Sequence, residues 1–210
     1  MDKMVVLGGG GHAKVIIDII RKQKLYSIIG YVDPRDRGEI LGVAYLGPES
    51  KVPEFIRSNP GLQAALAIGN TEPSDLRKSI FDRMKTQGLS FPSIVSPDAI
   101  INSDVIVAEG SQILDGVIVN SGSRIGRGVI VNTGSSIDHD CQISDFTHVA
   151  PGVTLSGGVK IGKNCVIGIG SCIIQNVEIG DFILIGAGSV VTSHCREVGT
   201  YVGSPARRIK

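Results

Sequence analysis

AIINSD VIVAEG SQILDG VIVNSG SRIGRG VIVNTG SSIDHD CQISDF THVAPG VTLSGG VKIGKN CVIGIG SCIIQN VEIGDF ILIGAG SVVTSH is the run from Ala99 to His194, set out in sixes. Every third place is aliphatic, from Ile101, Val107 and Ile113 through to Ile179, Ile185 and Val191. At even odds per place, sixteen such hits in sixteen sixes would arise about once in 65,000 trials, so the period is real. First places are small or β-branched. Side chains alternate across a strand, so places one and three face the same way. Gly, Asn and Asp gather at places four to six, where the chain must turn. Each six is a short strand and a bend, and three sixes make one coil of a three-sided parallel β-helix. Residues stack when they differ by multiples of about eighteen, and with coils roughly 4.8 Å apart the prism is about 25 Å tall.

Ahead of the prism the pattern changes. Lys3 to Leu7 is an apolar run ended by Gly8 to Gly11, and AKVIIDIIRKQK then repeats its apolar residues at helical spacing. Tyr26 to Val32 predicts a second strand ending at Asp33, followed by a polar loop from Pro34 to Gly42 and a short helix around Ser50 to Asn59. Leu62 to Ile68 predicts a third strand, closed by Gly69 and Asn70. An amphipathic helix starts at Ser74 and is ended by Gly88, and Phe91 to Val95 is a last strand. Alternating strands and helices predict a small parallel, Rossmann-like α/β domain over 1–95 and the prism with its C-terminal tail over 96–210.

The chain has 210 residues, 28 glycines and a formal charge of +1. Near-neutral charge without a long basic run argues against nucleic acid as the main partner. No apolar run reaches the length of a membrane span, and the first residues do not resemble a signal peptide, so a cytoplasmic protein is expected. Cys141, Cys165, Cys172 and Cys195 form no CxxC pair and read as small thiols, with Cys141 and Cys165 at inward first places.

Two features carry chemistry. Gly8-x-Gly10-x-x-Ala13, with Asp33 about twenty-five residues on, matches the loose dinucleotide fingerprint: glycines let the backbone approach a diphosphate, and the helix beginning near His12 offers free N–H groups. A tight turn with no ligand is the alternative. Of four histidines, His139 lies between Asp138 and Asp140 at a bend, and His148 stands at an outward second place. A carboxylate beside an imidazole raises its basicity and fixes its tautomer, as a general base requires. Arg207, Arg208 and Lys210 in the tail read as a solvated basic end or as partners of a ligand phosphate.

GGGGHAK, NTGSSIDHDCQISDFTHVAPG, VKIGKNCVIGIGS, GAGSVV and YVGSPARRI together resemble the bacterial sugar acetyltransferases of the sialic acid O-acetyltransferase type. The nearest branch is the acetyl-CoA-dependent N-acetyltransferases of UDP-4-amino-4,6-dideoxy sugars. The resemblance implies that the prism is left-handed, that the protein is a homotrimer with active sites between subunits, and that acetyl-CoA is co-substrate with no metal. It implies His139 as general base, Asp140 as the acid that strengthens it, and His148, Ile169 and Ala187 as cofactor contacts. It also places Gly10, Gly11, His12, Asp33, Pro34 and Gly69 on the nucleotide sugar. Pro34 and Ala187 depart from some relatives, which carry an acidic residue and a glycine there. The alternatives are sialic acid O-acetylation, which the same resemblance allows, a metalloenzyme resembling the gamma-type carbonic anhydrases with His139, His148 and a third ligand, a nicotinamide-dependent protein built on the glycine loop, and a purely structural solenoid.

Overall fold

The computed structural model describes residues 1–210 and divides into two units, Met1–Gly69 with Leu76–Pro97 and Asp98–Lys210 with Asn70–Asp75. In the first unit, strand β1 (Asp2–Leu7) leads through the glycine loop into helix α1 (Gly11–Gln23). Strands β2 (Tyr26–Val32) and β3 (Tyr45–Gly47), helix α2 (Val52–Ser58), strand β4 (Gln63–Leu66), helix α3 (Leu76–Thr86) and strand β5 (Ile94–Val95) follow. The first four strands form a parallel sheet in the order β3-β2-β1-β4. Helix α1 buries Ala13, Ile16, Ile17, Ile19 and Ile20, the stripe its helical spacing predicts. It stops at Lys24, which takes the left-handed conformation and donates its N–H to the Arg21 carbonyl. Helix α3 buries Phe81 and Met84, and Phe81 lies 4.3 Å from Phe91 between ring centroids.

Four points differ from the sequence reading. Strand β3 was not foreseen, because three residues are too few to show an alternation. The last strand of this unit is only Ile94–Val95, and α3 starts at Leu76 rather than Ser74. The division at 95/96 into two uninterrupted stretches also gives way, since Asn70–Asp75 groups with the second unit. The physical reason is side-chain capture: the Asn70 carbonyl meets His148 Nδ1 at 2.8 Å, and Asn164 Nδ2 donates to Asp75 Oδ1 at 3.0 Å.

In the second unit, each six contributes a strand at its second and third places, and each strand pairs in parallel with those eighteen residues before and after it. The first face holds Ile100–Ile101, Ile118–Val119, Ser136–Ile137, Thr154–Leu155, Cys172–Ile173 and Val190–Val191. The second face runs from Ile106–Val107 to Glu178–Ile179. The third includes Gln112–Ile113, Ile130–Val131, His148–Val149, Val166–Ile167 and Ile183–Ile185, and is extended by the hairpin Gly199–Gly203 and Ala206–Arg208. The result is a left-handed parallel β-helix. Third places from Ile113 onward are all buried. Ile101 and Val107 are half-buried, because their strands pair with a coil on one side only.

First places explain themselves chemically. Ser111, Ser123, Ser135, Thr147 and Ser171 are buried, and each hydroxyl donates to the carbonyl fifteen residues on, as Thr147 Oγ1 does to Gly162 at 2.6 Å. Several also accept the amide one coil up, as Thr147 Oγ1 does from Cys165 at 3.1 Å. Cys141 and Cys165 fill the same place and donate Sγ–H to Ser156 and Gly180. Burial pushes the Cys165 thiol up to about 11. Replacing Thr147 by the isosteric Val should therefore leave the buried Cys165 amide unpaired, at about 1–3 kcal/mol, and take a partner from the half-buried Gly162 carbonyl. Urea denaturation of Thr147→Val checks this, with an unchanged midpoint as the contrary result.

Candidate active site

His139 occupies the edge between the first and second faces, in the turn joining Ser136–Ile137 to Gln142–Ile143. Its Nδ1 lies 2.8 Å from Asp140 Oδ2, and its main-chain N–H donates to Asp138 Oδ1 at 2.8 Å. The carboxylate only accepts, so Nδ1 carries the proton and Nε2 presents its lone pair. The bond from Asp140 and then the charge of Asp138 raise the histidine above its ordinary value. The His139 side chain is 62% exposed, open to an incoming molecule. Asp140 takes a positive φ of 58°, a conformation that Asp tolerates better than most residues and that turns its carboxylate back onto the ring.

Two glycines one coil away make room for this pair, and neither was singled out in the sequence. A Cβ on Gly157 would stand 2.6 Å from His139 Nε2 and Cε1. A Cβ on Gly122 would collide with Asp140 Oδ1. Their signal was available, since Gly157 is His139 plus eighteen and Gly122 is Asp140 minus eighteen.

His148 is half-buried on the third face, not beside His139. Nδ1 meets the Asn70 carbonyl at 2.8 Å and Nε2 meets Asn132 Nδ2 at 3.1 Å, so the ring donates through Nδ1 and accepts through Nε2. Both nitrogens are thus engaged within the chain. No three His, Cys, Asp or Glu side chains come together as a metal site would require. Ile169 and Ala187, eighteen apart, stack on the edge between the third and first faces, joined through the Gly188 amide, which donates to the Ile169 carbonyl at 2.8 Å. Both residues are exposed, and their own amides make no hydrogen bond in the chain. Two such donors one coil apart can meet the carbonyls of an extended amide-bearing chain. His139 and this pair stand at different edges of one prism.

In the first unit, Gly8 and Gly9 are demanded by the fold: a Cβ on Gly8, at φ 115°, would stand 2.7 Å from the Ala67 carbonyl, and one on Gly9 2.7 Å from Tyr31 Cε2. Gly10 and Gly11 are different. Space is open where their side chains would be, and they border a cavity of about 490 Å³ with Lys14 and Arg37. Helix α1 has no side-chain cap at Gly10. Asp33 accepts the Gly9 amide at 2.8 Å through Oδ2 and the Arg35 amide at 3.0 Å through Oδ1, so it shapes the glycine loop itself. Asp33 and Pro34 also line an apolar slot of about 200 Å³ with Leu7, Gly8, Val32 and Ile68. Gly69 lies against His12, with 3.7 Å between an added Cβ and the His12 Cβ. Lys14 and Arg37 were missed because lone surface cations carry no spacing signal. In the tail, Arg208 pairs with Glu197 at 3.1 Å and donates to the Val198 carbonyl, which holds the hairpin.

The family described as PglD N-terminal domain matches residues 3–84. UDP-N-acetylbacillosamine N-acetyltransferase of Bacillus subtilis is 33% identical over 115 residues, a match spanning 54% of this chain and about half (52%) of that relative. Perosamine N-acetyltransferase from Caulobacter crescentus, solved with CoA and GDP-perosamine, superposes with a TM-score of 0.93 at 32% identity, covering 100% of this chain and 98% of that one. The acetyltransferase domain of PglB from Neisseria gonorrhoeae gives 0.91 at 31% identity, with 100% of both chains covered. The chain belongs to the acetyl-CoA-dependent nucleotide-sugar N-acetyltransferases.

Proposed function

We propose that the protein acetylates the 4-amino group of a UDP-linked amino-deoxy sugar for bacterial glycan synthesis, with His139 as general base. The observation that carries this reading is the His139–Asp140 pair, 2.8 Å apart at an open edge and backed by Gly157. Nε2 takes a proton from the sugar amine as the nitrogen attacks the thioester carbonyl. A backbone N–H stabilises the oxyanion, the carbon–sulfur bond breaks, and the departing thiolate recovers the proton. An acyl-enzyme is not needed, because the free amine is itself a nucleophile; Cys141, Cys165 and Cys195 are buried, burial raises all three thiols, and the exposed Cys172 lies two coils beyond the His139 turn.

Gly10, Gly11, His12, Asp33, Pro34 and Gly69 take the nucleotide sugar in this reading. The open space over Gly10 and Gly11 supports a diphosphate there, and the apolar slot beside Asp33 and Pro34 supports the rest of the nucleotide. Ile169 and Ala187 offer amides to coenzyme A, and His148 contributes ring surface. The Caulobacter enzyme was solved with GDP-perosamine, and in two of its complexes a single histidine is substituted. A 4-amino sugar on a nucleotide is favoured over a free sialic acid, which has no diphosphate for the glycine loop. Acetyl-CoA and nucleotide sugars are cytoplasmic metabolites, and no helix is long and apolar enough to cross a membrane.

The reading includes a homotrimer with shared sites. Base and cofactor edge flank the first face, whose outward places are Ile100, Ile118, Ser136, Thr154, Cys172 and Val190 and carry no charge, whereas the second face presents Ile106, Arg124, Gln142, Lys160 and Glu178. Packing this uncharged face against a neighbour brings one chain's His139 to the other's cofactor edge.

Three outcomes follow. Mass spectrometry of reactions with acetyl-CoA should show N-acetylated product from UDP-4-amino sugars ahead of GDP- and CMP-sugars; turnover of sialic acid alone would overturn the substrate assignment. Gly157→Ala should lower kcat by at least about ten-fold by displacing the base from a geometry good to within about an ångström, and wild-type kcat would refute the arrangement. Finally, His139→Ala co-assembled with a second inactive protein mutated at the Ile169 and Ala187 edge should regain part of its activity. No recovery in demonstrably mixed trimers would place both roles on one chain.

A further inference from the structure

We propose that Asn120, with Asn102 behind it, is a positioning residue for the base: it holds the Asp138 carboxylate against the His139 main chain and so fixes where the imidazole stands. The inference rests on the reading of His139 as base.

Asp140 alone is a weak anchor. Its carboxylate is 71% exposed, and an ion pair in solvent contributes little order. Asp138 is held from four sides. Its Oδ1 accepts from the His139 N–H at 2.8 Å and from Asn120 Nδ2 at 3.2 Å. Its carbonyl accepts from Ser123 Oγ at 2.8 Å, and its own N–H donates to the Leu155 carbonyl at 3.0 Å. The bonds from His139 and then Asn120 keep the Asp138 carboxyl below its ordinary value, so it stays charged.

Asn102, Asn120 and Asp138 stand eighteen apart along the edge that carries His139, and Asn102 Nδ2 donates to Asn120 Oδ1 at 3.0 Å. The ladder has one direction. A carboxylate can only accept, so Asn120 must turn its NH₂ to Asp138 and its oxygen to Asn102. The turn does not ask for asparagine. None of the three residues has a positive φ, and later coils put Ser156, Ile174 and Thr192 at the same place. At this place asparagine appears only in the two coils that lead to Asp138. The charged groups facing the ring are Asp138 and Asp140; the stacked turns supply Ser121 and Gly122 on one side and Gly157 and Gly158 on the other, none of them titratable.

The test is a double-mutant cycle read by kcat, by KM for both substrates and by pH profile. Asn120→Ala should lower kcat about ten-fold without raising either KM, and should add almost nothing in an Asp138→Ala background, because it acts only through Asp138. Asn120→Asp should be worse than Ala, since it sets a second carboxylate beside the first. Asp138→Asn keeps the acceptor and removes the charge, so it should retain most of kcat while the acid limb moves to lower pH. Thermal melts within a few degrees of wild type confirm that each variant is folded. Full kcat in Asn120→Ala, or an undiminished further loss in the Asp138→Ala background, overturns the proposal while an inactive His139→Ala leaves the base reading standing. Near-full turnover in His139→Ala overturns both.

Discussion

The eighteen-residue coil is the constraint on which the second unit depends. Two-residue strands are too short to be stable singly, and they persist because each is paired in parallel with a strand above and below while its third-place aliphatic is buried. The arrangement gives every residue an address: its remainder on division by eighteen sets the face or edge, and the quotient sets the height. Polar first places fit the same scheme, because a buried hydroxyl or thiol at a bend satisfies carbonyls that the ladder leaves over. A single insertion in the run would shift every later address and dissolve the site at the edge.

The proposed catalysis draws on that rigidity. A lone histidine on a surface turn would sample many orientations, whereas His139 is confined by Asp140 on its ring, Asp138 on its main chain and the bare backbone of Gly157 against its face. The two carboxylates also hold its proton affinity up, so the neutral base is lost as pH falls through a value higher than that of an ordinary histidine. In the first unit the economy is different: Asp33 spends both carboxylate oxygens on the loops around it, and the space left open lies over Gly10 and Gly11.

Much of this was legible in the chain. The period set out the strands of the prism, and the flanking carboxylates that singled out His139 are the groups that meet it. The α1 stripe was visible because its apolar residues recur at three and four. What was hidden had physical reasons. Strand β3 is three residues long and carries no pattern. The capture of Asn70–Asp75 by His148 and Asn164 depends on contacts far apart in sequence, so His148 read as a freely outward ring when both nitrogens are engaged. Gly157, Gly122 and Asn120 could have been found by applying the eighteen-residue rule to His139, Asp140 and Asp138, since a functional side chain at an edge needs partners or room one coil away.

The most direct test of the account is the pH dependence of kcat at saturating acetyl-CoA and sugar nucleotide, in wild type and in His139→Ala, with binding of both substrates followed by calorimetry. The account predicts a wild-type acid limb above the ordinary histidine value of about 6.5, and a loss of roughly 10²–10⁴ in kcat for His139→Ala with both substrates still bound. Near-full turnover in His139→Ala, or a wild-type limb at or below the ordinary value, would contradict it.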